Sequence, residues 1–406
     1  MVGPAGSRTY LRRLPITAIA ATILAIVAMV SLAQRIPAAS NRYDDLDFVT
    51  FYGWWTDYSS GLNPWVGQSK QVDSRPRLSR SRDCNNTPFF IEVFSPLARL
   101  DQKTAFWVWE GIQVICLVAA VLMLARESDP PLGAAPTIIV LSSVLFSRQF
   151  AGELVYAQVT SILLVLLSAS WFCARRERPA AAGLCLALAA LVKLYPVTVG
   201  GFFLFDRRWR TLGWAIAFFA AGVLLTNSVH WIELATQGMS VSYQKVAESE
   251  LTVLAFVRRS VAHFAGTTIA AAPLSAVIGI TALIDVALLA VAVEATRISH
   301  GRADLDGLLF GLWVALALLM SPLAWVQETL LLIPAYLFGT LAAWDGFQRR
   351  DGTRKILLIA GSVILAACIA TALIKALPHP GFAMLLASYF AAALILRARV
   401  MQPDVR

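Results

Sequence analysis

The chain has 406 residues, 58% of them hydrophobic and 15% charged, with a mean hydropathy of +0.67. Soluble domains run at roughly 45–50% apolar and 25% charged, so a water-soluble fold is a poor fit. The net charge of +9 is not gathered into a basic stripe with interleaved aromatics, which argues against nucleic acid as a partner.

The apolar residues come in long blocks separated by short basic punctuation, the pattern of an all-α polytopic membrane protein in one domain covering residues 1–406. About 12 transmembrane segments are expected, over residues 14–33, 104–125, 134–147, 159–174, 180–192, 197–205, 212–229, 269–295, 305–320, 329–344, 356–374 and 382–396. The first run follows Arg8, Arg12 and Arg13 and is long for a signal peptide, so a retained anchor is expected. Four of the five cysteines, Cys116, Cys173, Cys185 and Cys368, fall in these apolar runs, and only Cys84 lies in a long polar loop. Buried cysteine behaves as a small hydrophobe, and no chemistry is assigned to any of them.

Lys and Arg in short loops set the orientation. With the N-terminus in the cytoplasm, 19 basic residues fall on that side and 5 in the opposite short loops, which predicts cytoplasmic termini in a bacterial inner membrane.

Residues 34–103 form the longest hydrophilic stretch, expected as the first extracytoplasmic loop. It opens with Asp44, Asp45 and Asp47 before an aromatic run. If 48–59 is helical, Phe48, Phe51, Tyr52 and Trp55 share one face, as in an interfacial amphipathic helix. Asp47 then stands at or near the N-cap, a place asparate fills well in any helix. Residues 67–84 are Arg/Ser-rich and read as a polar insertion. Asn86-Thr87-Pro88-Phe89-Phe90 and Ser95-Pro96-Leu97 lead back to the membrane.

Residues 180–205 test the topology, because Arg175, Arg176 and Arg178 precede them while Arg207, Arg208 and Arg210 follow. Both flanks belong in the cytoplasm, so the segment must go in and return as two half-spans. They are expected to meet near Lys193, Leu194, Tyr195 and Pro196, where the proline supplies the break. Non-helical backbone at membrane depth survives only where protein or a water-filled cavity satisfies it. Lys193 therefore either faces a cavity or snorkels to the interface.

No phosphate loop, dinucleotide glycine pattern, HExxH or CxxC is present, and the four histidines are scattered. Only Asp44, Asp45 and Asp47 could together hold a hard cation, and no further oxygen ligand accompanies them. No metal or cofactor is expected.

Gln158 opens a span. Leu191-Val192-Lys193-Leu194-Tyr195-Pro196 follows, then Ser321-Pro322-Leu323-Ala324-Trp325. With Asp47-Phe48 and Thr87-Pro88-Phe89-Phe90 before them, these pieces occur in an order that resembles glycosyltransferase family 87. The resemblance covers roughly residues 14–344. It implies a GT-C-type bundle and an inverting transferase that moves a sugar, mannose first, from a polyprenyl phosphate to a glycolipid or lipoglycan acceptor outside the cytoplasm.

The same resemblance implies Asp47 as the general base, with Arg258, Arg259 and Lys193 as candidates for the donor phosphate. Asp44, Tyr52, Gln158, Trp325, Gln327 and Glu328 are the candidate substrate-binding residues. The chemistry agrees, since a polyprenyl phosphate is already a good leaving group. One carboxylate to deprotonate the acceptor hydroxyl and one or two cations for the phosphate then suffice.

This chain departs from the family pattern in three places. Glu248-Ser249-Glu250 stands where Asn-Gln-Ser is usual, Gln327-Glu328 where the mannosyl branch has a His pair, and Ala157 where Gly precedes Gln158. Glu328 is either a second carboxylate of the site or a cap for the next span. The competing readings are a multi-spanning transporter or lipid-linked-saccharide flippase, whose helices also break at mid-membrane, and a non-catalytic partner in a cell-envelope complex.

Overall fold

The structure is a computed structural model. It describes residues 21–27, 29–30, 34, 47–65, 84, 86–238, 252–322, 324–348, 355–373 and 382–401. Among these every regular element is helical, and the described residues of the first apolar run, 21–27, are helical too. Four helices are long and apolar enough to cross a membrane, or up to six if each of two bent pairs is one span. Five further apolar helices are shorter, Thr160–Arg175, Pro179–Val192, Tyr195–Phe205, Asp306–Leu319 and Leu358–Ile369.

Helix α1, Asp47–Ser59, carries the aromatic face expected from the sequence. That face meets protein rather than lipid. Phe48 lies 5.3 Å from Phe106, Phe51 5.5 Å from Phe90 and Trp55 5.4 Å from Trp109, centroid to centroid. The partners come from α2, Pro88–Phe94, and α3, Gln102–Glu127. Phe48, Trp55, Phe90, Phe106 and Trp109 are all fully buried. Several aromatic rings in edge-to-face or tilted contact bury far more surface than a helix lying on lipid headgroups would, which is why the segment folds inward.

The base of the polar insertion is closed. The Cys84 amide donates to the Pro64 carbonyl at 3.2 Å, so the loop leaves and rejoins the body at one place. Cys84 itself is fully buried, despite its polar surroundings in sequence. Tyr58 hydrogen-bonds Glu92, and burial together with that carboxylate pushes the phenol up to about 12. Asp101 caps α3, and its hydrogen bonds with Thr104 hold the carboxyl below its usual range.

A bent pair follows, α4, Ala134–Phe146, and α5, Arg148–Tyr156, meeting at 53°. Residues 148–156, expected in a loop, are thus helical. Ser147 caps α5 by accepting from the Phe150 amide at 3.2 Å, and its extended backbone ends α4. Then come α6, Thr160–Arg175, and α7, Pro179–Val192. Helix α7 stops at Lys193, whose backbone is extended (φ −140°, ψ 143°), and a 3-10 turn, Tyr195–Val199, leads into α8, Gly200–Phe205. The break thus comes three residues ahead of Pro196, which itself sits comfortably in the first turn of the 3-10 segment.

Helix α9, Trp209–Leu225, packs along α7. Gly183 abuts Thr211, Trp214 and Ala215, while Leu191 abuts Gly222, so the two helices run parallel. Parallel neighbours need a return path between them. Tyr195–Phe205 supplies about 19 Å from its 3-10 and α rises, close to the roughly 21 Å length of α7. The in-and-out course inferred from the flanking arginines is therefore the course the chain takes.

A Cβ on Gly183 would fall 2.7 Å from the Ala215 nitrogen and 2.8 Å from the Thr211 oxygen, atoms that cannot move aside. Gly183→Val is expected to lower stability by about 1–3 kcal/mol or more. Thermal unfolding in detergent reads this, and an unchanged midpoint would contradict the parallel packing.

The remaining helices are α10, Ser228–Glu233, α11, Val253–Phe264, α12, Leu274–Ser299, α13, Asp306–Leu319, α14, Ile333–Gln348, α15, Lys355–Leu373, and α16, Phe382–Val400. Every residue of α13 is buried, which makes it the central helix. Helix α12 lies outside, with Leu283 and Val286 exposed as lipid-facing residues would be.

Ion pairs gather at one end of the bundle. Arg176 bonds Glu127 at 2.5 Å, Arg208 bonds Asp306 at 2.5 Å and Asp206 at 2.6 Å, and Arg399 joins Asp304 and Asp345. Burial pushes Asp304 up, but the hydrogen bonds of Arg302 and the charges of Arg302 and Arg399 outweigh it and hold the carboxyl low. The arginines flanking residues 180–205 are thus at a common end of the fold, and Lys193 points the chain toward the other.

Candidate active site

At that other end three segments converge. Thr87, the N-cap of α2, accepts from the Phe90 amide at 3.2 Å and donates its hydroxyl to the Leu191 carbonyl, with the Val192 carbonyl 3.3 Å away. Its one proton therefore serves a backbone acceptor that the end of α7 leaves unused. Trp109 donates its indole N–H to the Ala157 carbonyl at 2.8 Å. Ala157 caps α5 in the left-handed region (φ 49°, ψ 42°), a conformation that favours glycine. The glycine usual before Gln158 thus has a backbone reason.

Gln158 is buried in the short link between α5 and α6, and its amide donates to the Glu153 carbonyl at 3.3 Å. Lys193, half-buried in the break, pairs with Glu328. The ammonium also lies 5.7 Å from the ring centroid of Tyr195. Lys193 is held by protein here, through Glu328. Glu328 is fully buried in the first turn of a 3-10 segment, Val326–Leu332, just ahead of α14. Gln327, beside it, is buried, and its Cβ lies 3.4 Å from where a Cβ on Gly152 would stand. Trp325 is half-buried and accepts the Glu328 amide on its carbonyl at 2.9 Å.

Two carboxyls that sequence reasoning passed over lie alongside. Glu153 is fully buried, accepts the Ser161 amide at 3.0 Å and acts electrostatically on both Glu328 and Glu110. Glu110 stands on α3 about 12 Å inside its start by helical rise and is also buried. The signal for Glu110 was present, since an acid inside a span is rare and usually functional. Glu153 was hidden because 148–158 looked like a loop.

The other expected residues lie apart from this cluster or outside the described part. Asp47 opens α1, and its neighbour Phe48 packs on Phe106, one helical turn before Glu110 on α3. Asp44 lies outside the described residues. Tyr52 is half-buried, and its hydroxyl donates to the Leu100 carbonyl at 2.8 Å. Arg258 and Arg259, expected in a loop, stand in helix α11. The Thr252 hydroxyl caps that helix through the Ala255 amide at 3.1 Å, which explains its start. Arg258 is buried and its Nε donates to the Ile269 carbonyl at 3.1 Å, a tie within the fold.

Residues 86–322 match the profile of glycosyltransferase family 87. The chain belongs to this family. The matched region contains the Thr87 cap, Glu110, Glu153, Gln158 and the Lys193 break, while Asp47 and Glu328 lie on either side of it. Among family members and relatives, the polyprenol-phosphate-mannose-dependent α-(1-2)-phosphatidylinositol pentamannoside mannosyltransferase of Mycolicibacterium smegmatis is 27% identical over 276 residues. That alignment covers 64% of this chain and 62% of the relative, so the chain spans less than two thirds of the relative's length. Among solved structures, ArnT from Cupriavidus metallidurans bound to undecaprenyl phosphate is similar at a TM-score of 0.39 and 12% identity, over 95% of this chain and 77% of that one.

Arg258 and Arg259 now separate. Arg258→Gln is expected to lower stability by about 1–3 kcal/mol, because the Ile269 carbonyl loses its donor. Arg259→Gln is expected to raise the donor KM. Thermal unfolding and donor titrations on both variants check this, and the reverse pattern would exchange the two roles.

Proposed function

We propose that the chain is an inverting glycosyltransferase that moves a sugar, mannose first, from a polyprenyl phosphate to a glycolipid or lipoglycan acceptor. The arrangement that carries this reading is Lys193. It is a half-buried cation in a helix break, at the end of the bundle where α1, the Thr87 cap and the Gln158 link meet. A phosphate needs a cation, and a carrier lipid needs that cation at membrane depth. Family membership and the likeness to a polyprenol-phosphate-mannose-dependent enzyme support the donor class. They favour a transferase over a transporter or flippase.

In this reading Asp47 takes the proton of the acceptor hydroxyl as the hydroxyl attacks the anomeric carbon from the face opposite the phosphate. The carbon–oxygen bond to phosphate breaks, and the bond's electrons stay with the carrier phosphate, for which Lys193 is the assigned cation. Gln158, Trp325 and Gln327 are assigned to hold the sugars. The short helices complete a GT-C-type bundle of about a dozen spans. The test is transfer of labelled mannose from a synthetic polyprenyl-phosphate-mannose to a lipid acceptor by membranes containing the protein. No transfer from this donor or from the arabinose analogue, by folded protein, would reject the proposal.

The same reading puts the site outside the cytoplasm, supported by the 19-to-5 bias of basic residues in short loops. In a background lacking the five native cysteines, Ser60→Cys should react with a membrane-impermeant maleimide on intact cells and Ala303→Cys should not. Labelling of Ala303→Cys alone would invert the orientation.

A further inference from the structure

The cluster around Lys193 holds more acid than the pair needs. One oxygen of Glu328 meets the ammonium, while its other oxygen has no hydrogen-bond partner. One oxygen of Glu153 and both of Glu110 are likewise unpartnered, as are both polar atoms of Gln113 and of Gln149 and the Tyr195 hydroxyl, all buried. Glu328 faces Lys193 and Tyr195 from the break, and from α5 it meets Glu153, with Arg148 at the start of that helix. Helix α6 brings Thr160 and Ser161. Helices α13 and α14 carry Asp306 and Asp345 at their far ends, roughly 18–20 Å off by helical rise.

Lys193 cannot serve a phosphate and leave Glu328 ionised without cost. The closed pair is neutral. A phosphodiester on the ammonium adds one negative charge, and a fully buried carboxylate that loses its cation carries a large desolvation cost. Such a group takes up a proton instead. We propose that Glu328 is a proton-linked counter-ion of Lys193, exchanging the ammonium for a proton from solvent when a lipid phosphodiester arrives. The contact from Nζ to the carboxylate breaks, one from Nζ to a phosphate oxygen forms, and the net charge of the site is unchanged. This rests on the reading of Lys193 as the cation for the donor phosphate. Glu328 acts through Lys193 and is a positioning residue.

The test uses the purified full chain in detergent and the methyl ester of a polyprenyl phosphate, a diester with no ionisation of its own near neutral pH. An indicator dye in weak buffer reads protons taken up on binding. Wild type should take up close to one proton per bound diester, and its affinity should rise by up to tenfold per unit as pH falls. Glu328→Gln, which keeps the shape, should bind more tightly, with no uptake and no pH dependence. Binding by wild type without uptake, or with a flat pH profile, overturns the counter-ion role and leaves the donor reading intact. Uptake that persists in Glu328→Gln and vanishes in Glu153→Gln moves the proton to Glu153 and also overturns it. Failure of folded wild type to bind the diester removes the phosphate from Lys193 and sinks the donor reading itself.

Discussion

Asp47→Asn is expected to yield a folded protein whose rate of sugar transfer drops on the order of 10²–10⁴-fold, the usual cost of losing a general base. Asparagine caps a helix about as well as aspartate, so the start of α1 at Asp47 should survive. Phe48, Phe51 and Trp55 hold α1 on α2 and α3, and these residues are unchanged in the variant. If Asp47 is only a cap, turnover stays normal in the Asn variant while Asp47→Ala loses stability by about 1 kcal/mol. Asp44→Asn and Asp45→Asn are the comparison. Near-normal transfer in Asp47→Asn with loss in one of these neighbours would move the base to that neighbour. Activity in all three would reject the mechanism.

The second large effect concerns the Lys193–Glu328 pair. Removing one partner of a buried ion pair strands the other charge and costs roughly 3–5 kcal/mol, and the partial exposure of Lys193 places this pair near the lower end. Lys193→Met and Glu328→Leu should each lower stability by about 3 kcal/mol. Replacing both by apolar residues removes both desolvation penalties, so the double variant should recover most of the loss. It should not recover transfer, because the cation proposed for the leaving phosphate is gone. Unfolding midpoints and turnover across the four proteins separate the two contributions. Additive losses in the double variant would show that the two side chains do not interact.

How much of this was legible beforehand depends on the kind of signal. Hydropathy and basic punctuation alone marked an all-helical membrane chain. They also marked the turnaround between the arginines at 175–178 and 207–210, because charge excludes both flanks from lipid whatever the rest of the fold does. The ordered motifs pointed to the family that residues 86–322 match. The aromatic spacing of α1 was visible, but its partner was not: periodicity tells which residues share a face and says nothing about what covers it.

Contacts between residues far apart in the chain were decided only by the tertiary structure. Lys193 and Glu328 stand 135 positions apart. Nothing local distinguishes a glutamate that caps a span from one that meets a lysine across the bundle. Glu153 lies beside Glu328 because α5 turns 53° from α4 at Ser147 and packs against the 3-10 segment ahead of α14. Arg258 looked like a free cation in a loop and is instead held in a helix by the Ile269 carbonyl. In each case the decisive quantity is the desolvation of a polar group, and that depends on neighbours brought in from elsewhere in the chain.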